Sequence, residues 1–141
     1  MSFWDSSAVL PLVLHEPLSG GLRALSLADG VPVVWWGTLV ECQSAVERRR
    51  RAGQLSAQEK SRIVRLLEQL AGAWSEVQPS SLLRERAVRL LAQHDLRASD
   101  ALQLAAALVW AAERPAGRSF VCLDNRLRDA AQREGFNLLP T

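Results

Sequence analysis

The sequence predicts an α/β fold, with helices packed around a central, mostly parallel sheet. Three observations carry this. Short β-branched or aromatic runs recur at Phe3-Trp4, Val31–Trp36, Trp74–Val77, Phe120–Leu123 and Phe136–Leu139. Segments of helical period separate them. Val31–Trp36 is β-branched and aromatic without alternation, as expected of a strand buried on both faces of a parallel sheet.

Phe3-Trp4 hands over to a short helix at Asp5-Ser6-Ser7, with Asp5 or a serine as N-cap and Pro11 and Pro17 limiting its length. A second helix spans roughly Leu22–Ala28 and closes at Asp29-Gly30. From Thr38, the residues Leu39, Cys42, Val46 and Arg49 follow helical spacing, and the segment ends in Arg48–Arg51 before Gly53. Ser56-Ala57-Gln58-Glu59 is a capping box whose helix runs through Ile63, Leu66, Leu67 and Leu70 toward Gly72. Ser80 or Ser81 starts a helix that ends near His94. Ala98-Ser99-Asp100 opens the most apolar helix, Ala101–Ala112, apolar nearly all round and therefore central. A last amphipathic helix, Leu127–Glu134, is closed by Gly135.

The 141 residues fit one domain, 48% hydrophobic and 23% charged, the balance of an ordinary folded protein. Cys42 and Cys122 have no CxxC spacing and sit among apolar residues, so they read as core hydrophobes in a reducing compartment. No apolar run reaches the length of about 20 residues that a membrane helix needs, and the N-terminus lacks a signal-peptide pattern. The expectation is a soluble, cytoplasmic protein. The net charge of +2 does not by itself imply nucleic acid. Nearly all the positive charge is arginine, which matches phosphate bidentately, and Lys60 is the only lysine.

Four acids stand out by position. Asp5 and Asp124 follow strands, where open parallel sheets bind ligands, although each taken alone also reads as a helix cap. Glu41 and Asp100 open helices without an ion-pair partner one turn on, the i+4 residues being Ala45 and Leu104. Such acids either face solvent or need a partner or a cation.

This pattern resembles the PIN-domain family, in particular the VapC-type toxins. The resemblance lies in Asp-Ser-Ser-Ala at 5–8, Thr-Leu-Val-Glu at 38–41 and Leu-Arg-Ala-Ser-Asp-Ala-Leu-Gln-Leu-Ala-Ala-Ala at 96–107. It continues in Phe-Val-Cys-Leu-Asp at 120–124, with Ala130-Ala131 and Glu134-Gly135 behind it. It covers essentially the whole chain in order. It implies a PIN-like three-layer α/β/α sandwich and a metal-dependent endoribonuclease, the toxin of a toxin–antitoxin pair. Mg²⁺ or Mn²⁺ is the implied cofactor, held by Asp5, Asp100 and Asp124, with Glu41 a further ligand or the base that orients water. The implied partners are an RNA substrate, a cognate antitoxin and a second copy of the chain as a homodimer. The alternative is a PIN-like module that binds RNA or protein without cleaving it.

The physics agrees with the implied chemistry. Converging carboxylates raise one another's pKa, and a hard cation removes that penalty. Ser7 is similar to a small polar residue of the family near the metal, although a first-turn hydroxyl is also expected locally. Asn125 and Arg126 stand where many relatives carry a further acid, leaving Asp129 as the substitute. Trp35-Trp36 reads as sheet packing or as a stacking or partner surface. Arg48–Arg51 reads as dipole compensation or as a phosphate or antitoxin contact. His15 and His94 read as surface residues.

Overall fold

The computed structural model describes residues 1–141 and bears out the α/β/α sandwich. In chain order, β1 is Phe3–Trp4, α1 Ser6–Val9, α2 Ser19–Asp29, β2 Val33–Trp35, α3 Thr38–Arg51 and α4 Ala57–Ala73. Then come β3 Ser75–Val77, α5 Ser81–Gln93, α6 Ala98–Trp110, β4 Ser119–Val121, α7 Asn125–Glu134 and β5 Asn137–Leu139. A 3-10 turn at Leu10–Leu12 ends α1, because Pro11 cannot donate to a continuing helix. No helix is long and apolar enough to cross a membrane.

All five strands are parallel, in the order β3-β2-β1-β4-β5. Alternating residues within each strand feed opposite layers. Phe3, Val33, Trp35 and Phe120 pack against α5, α6 and α7, through Leu83, Leu90, Leu104 and Leu127 among others. Trp4, Val34 and Val121 point the other way, onto Cys42 and Val46 of α3 and Ile63 and Leu67 of α4. The alanine run Ala105–Ala107 lets α6 lie close to the sheet, and all three alanines are buried.

The strand boundaries are tighter than the sequence implies. Val31 and Trp36 lie outside β2 and are exposed, because the paired segment begins after Pro32 and ends where Gly37 turns the chain into α3. A Cβ at Gly37 would sit 2.5 Å from Trp35 Nε1, so only glycine admits this approach of the indole to the start of α3. Gly135, at φ +112°, ends α7 in the left-handed region and returns the chain to β5.

The topology places the site. Successive connections run β1 to β2 to β3 in one direction, and the next crosses to β4 on the other side of β1. The order therefore reverses between β1 and β4, and a doubly wound sheet opens a crevice outside the strand carboxyl ends at that point. The residues just beyond those ends are Asp5 and, two residues after Cys122, Asp124.

Candidate active site

Asp5 is held where β1 becomes α1. Its amide donates to Val121 O of the neighbouring strand at 2.9 Å, and its carboxylate caps α1 by accepting from the Ser7 amide at 3.1 Å. The side chain is only 3% exposed, and burial raises its pKa above the ordinary aspartate range, with the charge of Asp100 adding to the effect. Ser7 also reaches toward β4. Its Oγ accepts from the Leu123 amide at 2.9 Å, which pins α1 to the chain leaving β4.

Glu41 enters from the first turn of α3. Its Oε2 accepts from Gln103 Nε2 at 2.8 Å and its Oε1 accepts from Ser6 Oγ at 3.3 Å. Burial first, then the charges of Asp5 and Asp100, push its pKa up to about 7. Glu41 therefore has partners, but they come from α6 and α1 rather than from its own helix, where Ala45 offers nothing.

Asp100 lies in the first turn of α6. Arg97 is the N-cap there and supplies no side-chain capping bond, and Ser99 lies inside the first turn rather than at the cap. Burial and the charge of Asp124 raise the Asp100 pKa, while Arg97 and Arg126 oppose them. Asp124 caps α7, accepting from the Leu127 amide at 3.0 Å, and its residue is exposed at the mouth.

These four acids line one cleft of about 540 Å³ together with Ser6, Ser7, Ser44, Arg48, Arg97 and Ser99, among others. Each comes from a different element, so only the tertiary fold brings them together. Asp129 is not among them: it faces solvent and pairs with Arg133 at 3.2 Å, so it does not replace the acid absent at Asn125. Arg48 lines the cleft, whereas Arg49 is committed to Glu16 at 2.6 Å. Trp35 is core and Trp36 is 52% exposed, which divides the pair between packing and surface. The Cys122 thiol reaches Asp5 Oδ2 at 3.6 Å, and burial pushes its pKa up, so it acts there as a neutral donor rather than a thiolate ligand. Cys42 is likewise buried and free.

His94 corrects its surface assignment. Its side chain is 8% exposed and its Nε2 lies 2.7 Å from Glu134 Oε2, well away from the cleft. Two residues that hold the cleft acids, Gln103 behind the cleft and Ser6 in its wall, are not singled out by sequence reasoning. Gln103 is fully buried, donates to both Thr38 Oγ1 and Glu41, and leaves its own Oε1 buried without a partner. Its signal in the sequence is a lone amide three residues after Asp100, inside an otherwise apolar helix. Ser6 carries no signal beyond its place after Asp5.

No three acidic, histidine or cysteine side chains stand close enough to form a ready-made cage for a metal ion. The donor set nonetheless fits a hydrated hard cation. Mg²⁺ keeps several waters and uses one or two carboxylates, and the mutual repulsion of these acids is the penalty that a cation relieves. Comparison with protein-family models and with curated proteins finds no match for the chain.

Proposed function

We propose that this chain is a metal-dependent endoribonuclease of the PIN-domain type, acting as the toxin of a VapC-type toxin–antitoxin pair. One observation carries the reading: four carboxylates from four separate elements line a single cleft at the switch point of a parallel sheet. A fold that needed only a core has no use for Asp5 buried beside Asp100, or for Glu41 held by a buried amide. The RNA substrate, the antitoxin and the homodimer come with the family resemblance.

Asp5, Asp100 and Asp124 would hold Mg²⁺ or Mn²⁺, directly or through water. When bound, such an ion lowers the pKa of water and neutralises charge on a phosphoryl oxygen. The remaining roles belong to the protein. Gln103 fixes one oxygen of Glu41, leaving Oε1, with its longer bond to Ser6, as the site that takes a proton from the attacking water. Water attacks phosphorus, the bond to the 3′ oxygen breaks, and that oxygen takes a proton from solvent, leaving a 5′-phosphate.

The test is cleavage of cellular RNA by purified protein with Mg²⁺ or Mn²⁺, and with EDTA, beside Asp5→Asn and Asp100→Ala. Cation-dependent cleavage lost in both folded variants establishes the nuclease. Equal cleavage by the variants removes the site from this cleft. Retention of RNA with no cleavage by any form turns the reading to a binding module.

A further inference from the structure

The acidic cleft does not end at its acids. On one side it shares Leu10, Ala45 and Arg48 with a hollow of about 380 Å³ that continues to Ala52 and Gln54. On the other it shares Arg97, Ser99, Asp100 and Asp124 with a hollow of about 320 Å³ that adds Asn125 and Arg126. The three hollows share walls in turn, from the C-terminal half of α3, past the acids, to the N-termini of α6 and α7, and together they outline a groove.

The charge along this groove alternates. Arg48 stands at one end, the four carboxylates in the middle, and Arg97 and Arg126 at the other. None of these arginines is held in a buried ion pair. The Arg48 guanidinium donates only to the Ser44 hydroxyl, at 3.0 Å. Arg97 forms no ion pair, and the one ion pair of Arg126, to Asp95, is 3.8 Å long with Asp95 90% exposed; both guanidiniums act on Asp100 only through their charge. Other arginines are spent on structure: Arg49 on Glu16, and Arg128 on the carbonyls of Cys122, Leu139 and Pro140. Carboxylates in the middle of a groove repel a polyanion, so the flanking cations are what hold it there.

We propose that one RNA strand lies along this groove, with Arg48 gripping the backbone phosphate on one side of the acids and Arg97 with Arg126 gripping it on the other. This rests on the nuclease reading for what happens at the centre, and it adds the path and the residues that set it. Val40, 72% exposed on the same wall of α3 as Ser44 and Arg48, gives that wall an apolar surface beside the strand. The guanidinium fork suits phosphate oxygens, and such contacts position a strand without reading its sequence.

The test is fluorescence anisotropy of a short labelled oligouridylate, with Ca²⁺ as cation and in a Glu41→Gln background to hold cleavage off, over a range of salt. Arg48→Ala and Arg97→Ala are each expected to weaken binding about three- to tenfold. Each should also lower the slope of log affinity against log salt by about 0.7, the value for one phosphate contact on a single strand. Arg65→Ala and Arg89→Ala, exposed arginines outside the groove, control for net charge. Groove variants that bind no worse than these controls overturn the proposal. With Glu41 restored, the arginine variants should raise KM with kcat little changed. Arginine-dependent binding without cleavage by the wild type removes the nuclease and leaves the groove standing. Cleavage that the arginine substitutions do not alter removes the groove and leaves the nuclease standing.

Discussion

Gln103 Nε2 donates to Glu41 Oε2 at 2.8 Å, joining residues 62 positions apart and tying the central helix α6 to the first turn of α3. The same nitrogen donates to Thr38 Oγ1 at 3.0 Å, and Gln103 is fully buried. The amide therefore fixes where one carboxylate of the cleft sits, without touching anything bound there.

Gln103→Leu separates that role from packing. It removes a buried amide whose Oε1 has no partner, but it also leaves Thr38 Oγ1 and Glu41 Oε2 without their donor, so stability should fall by about 1–3 kcal/mol. The cleavage rate should fall by about 10- to 100-fold, the usual effect of losing a group that orients a working side chain. RNA cleavage with Mn²⁺ beside a thermal melt reads both. An unaltered rate would show that Glu41 needs no such support.

The crowded acids make a prediction about pH. Glu41 is pushed up to about 7, and Asp5 and Asp100 are raised in the same direction. A raised carboxylate contributes stability that is complete below the ordinary glutamate range and is lost as pH climbs through about 7. Without added cation, the melting temperature of wild type should therefore fall between pH 5 and pH 8 relative to Glu41→Gln. Mg²⁺ should restore it most at the alkaline end, because cation and proton compete for the same oxygens. Parallel profiles for the two proteins, with and without cation, would count against a Glu41 raised by burial and its acidic neighbours.

Asp124 has two duties that substitution can part. As N-cap of α7, its carboxylate accepts from the Leu127 amide. Asparagine caps about as well as aspartate, whereas alanine costs about 1 kcal/mol. Asp124→Asn should keep the wild-type melting temperature, and Asp124→Ala should lower it. Both should lose cleavage by about 100-fold or more if the charge holds a cation. Activity retained by Asp124→Asn would leave Asp124 a cap alone.

How much of this was legible in the sequence follows from which contacts are local. Asp5 and Asp124 stand out because they end apolar strand runs, and Ser56 because its capping-box partner Glu59 is three residues away. The partners of Glu41 come from residues 6 and 103, and no periodicity along α3 encodes them. Gln103 hides because an amide inside an apolar helix looks like an ordinary core position. Trp36 reads as strand until the turn at Gly37 is known to eject it. His94, next to Asp95 at a helix end, looks solvated, and only a contact 40 residues on shows that its side chain is largely covered.

That contact supports the last prediction. Glu134 at the end of α7 accepts from Arg86 Nη2 of α5 at 2.9 Å and lies 2.7 Å from His94 Nε2 just beyond α5, its side chain 17% exposed. Arg86 also reaches Glu113, past the end of α6, at 2.9 Å, but that carboxylate is 53% exposed. Breaking a buried pair leaves an uncompensated charge and costs about 3–5 kcal/mol, while an exposed pair is worth about 0–1. Glu134→Ala should therefore destabilise by about 2–4 kcal/mol, the lower end allowing for solvent that still reaches the carboxylate. Glu113→Ala should cost about 1 kcal/mol or less. Urea midpoints at unchanged slope measure both. The network lies apart from the cleft, so Glu134→Ala should keep its cation affinity wherever it remains folded. Similar small losses in the two variants would mean that Arg86 finds solvent when Glu134 is gone, and that the three helices are held by their apolar faces alone.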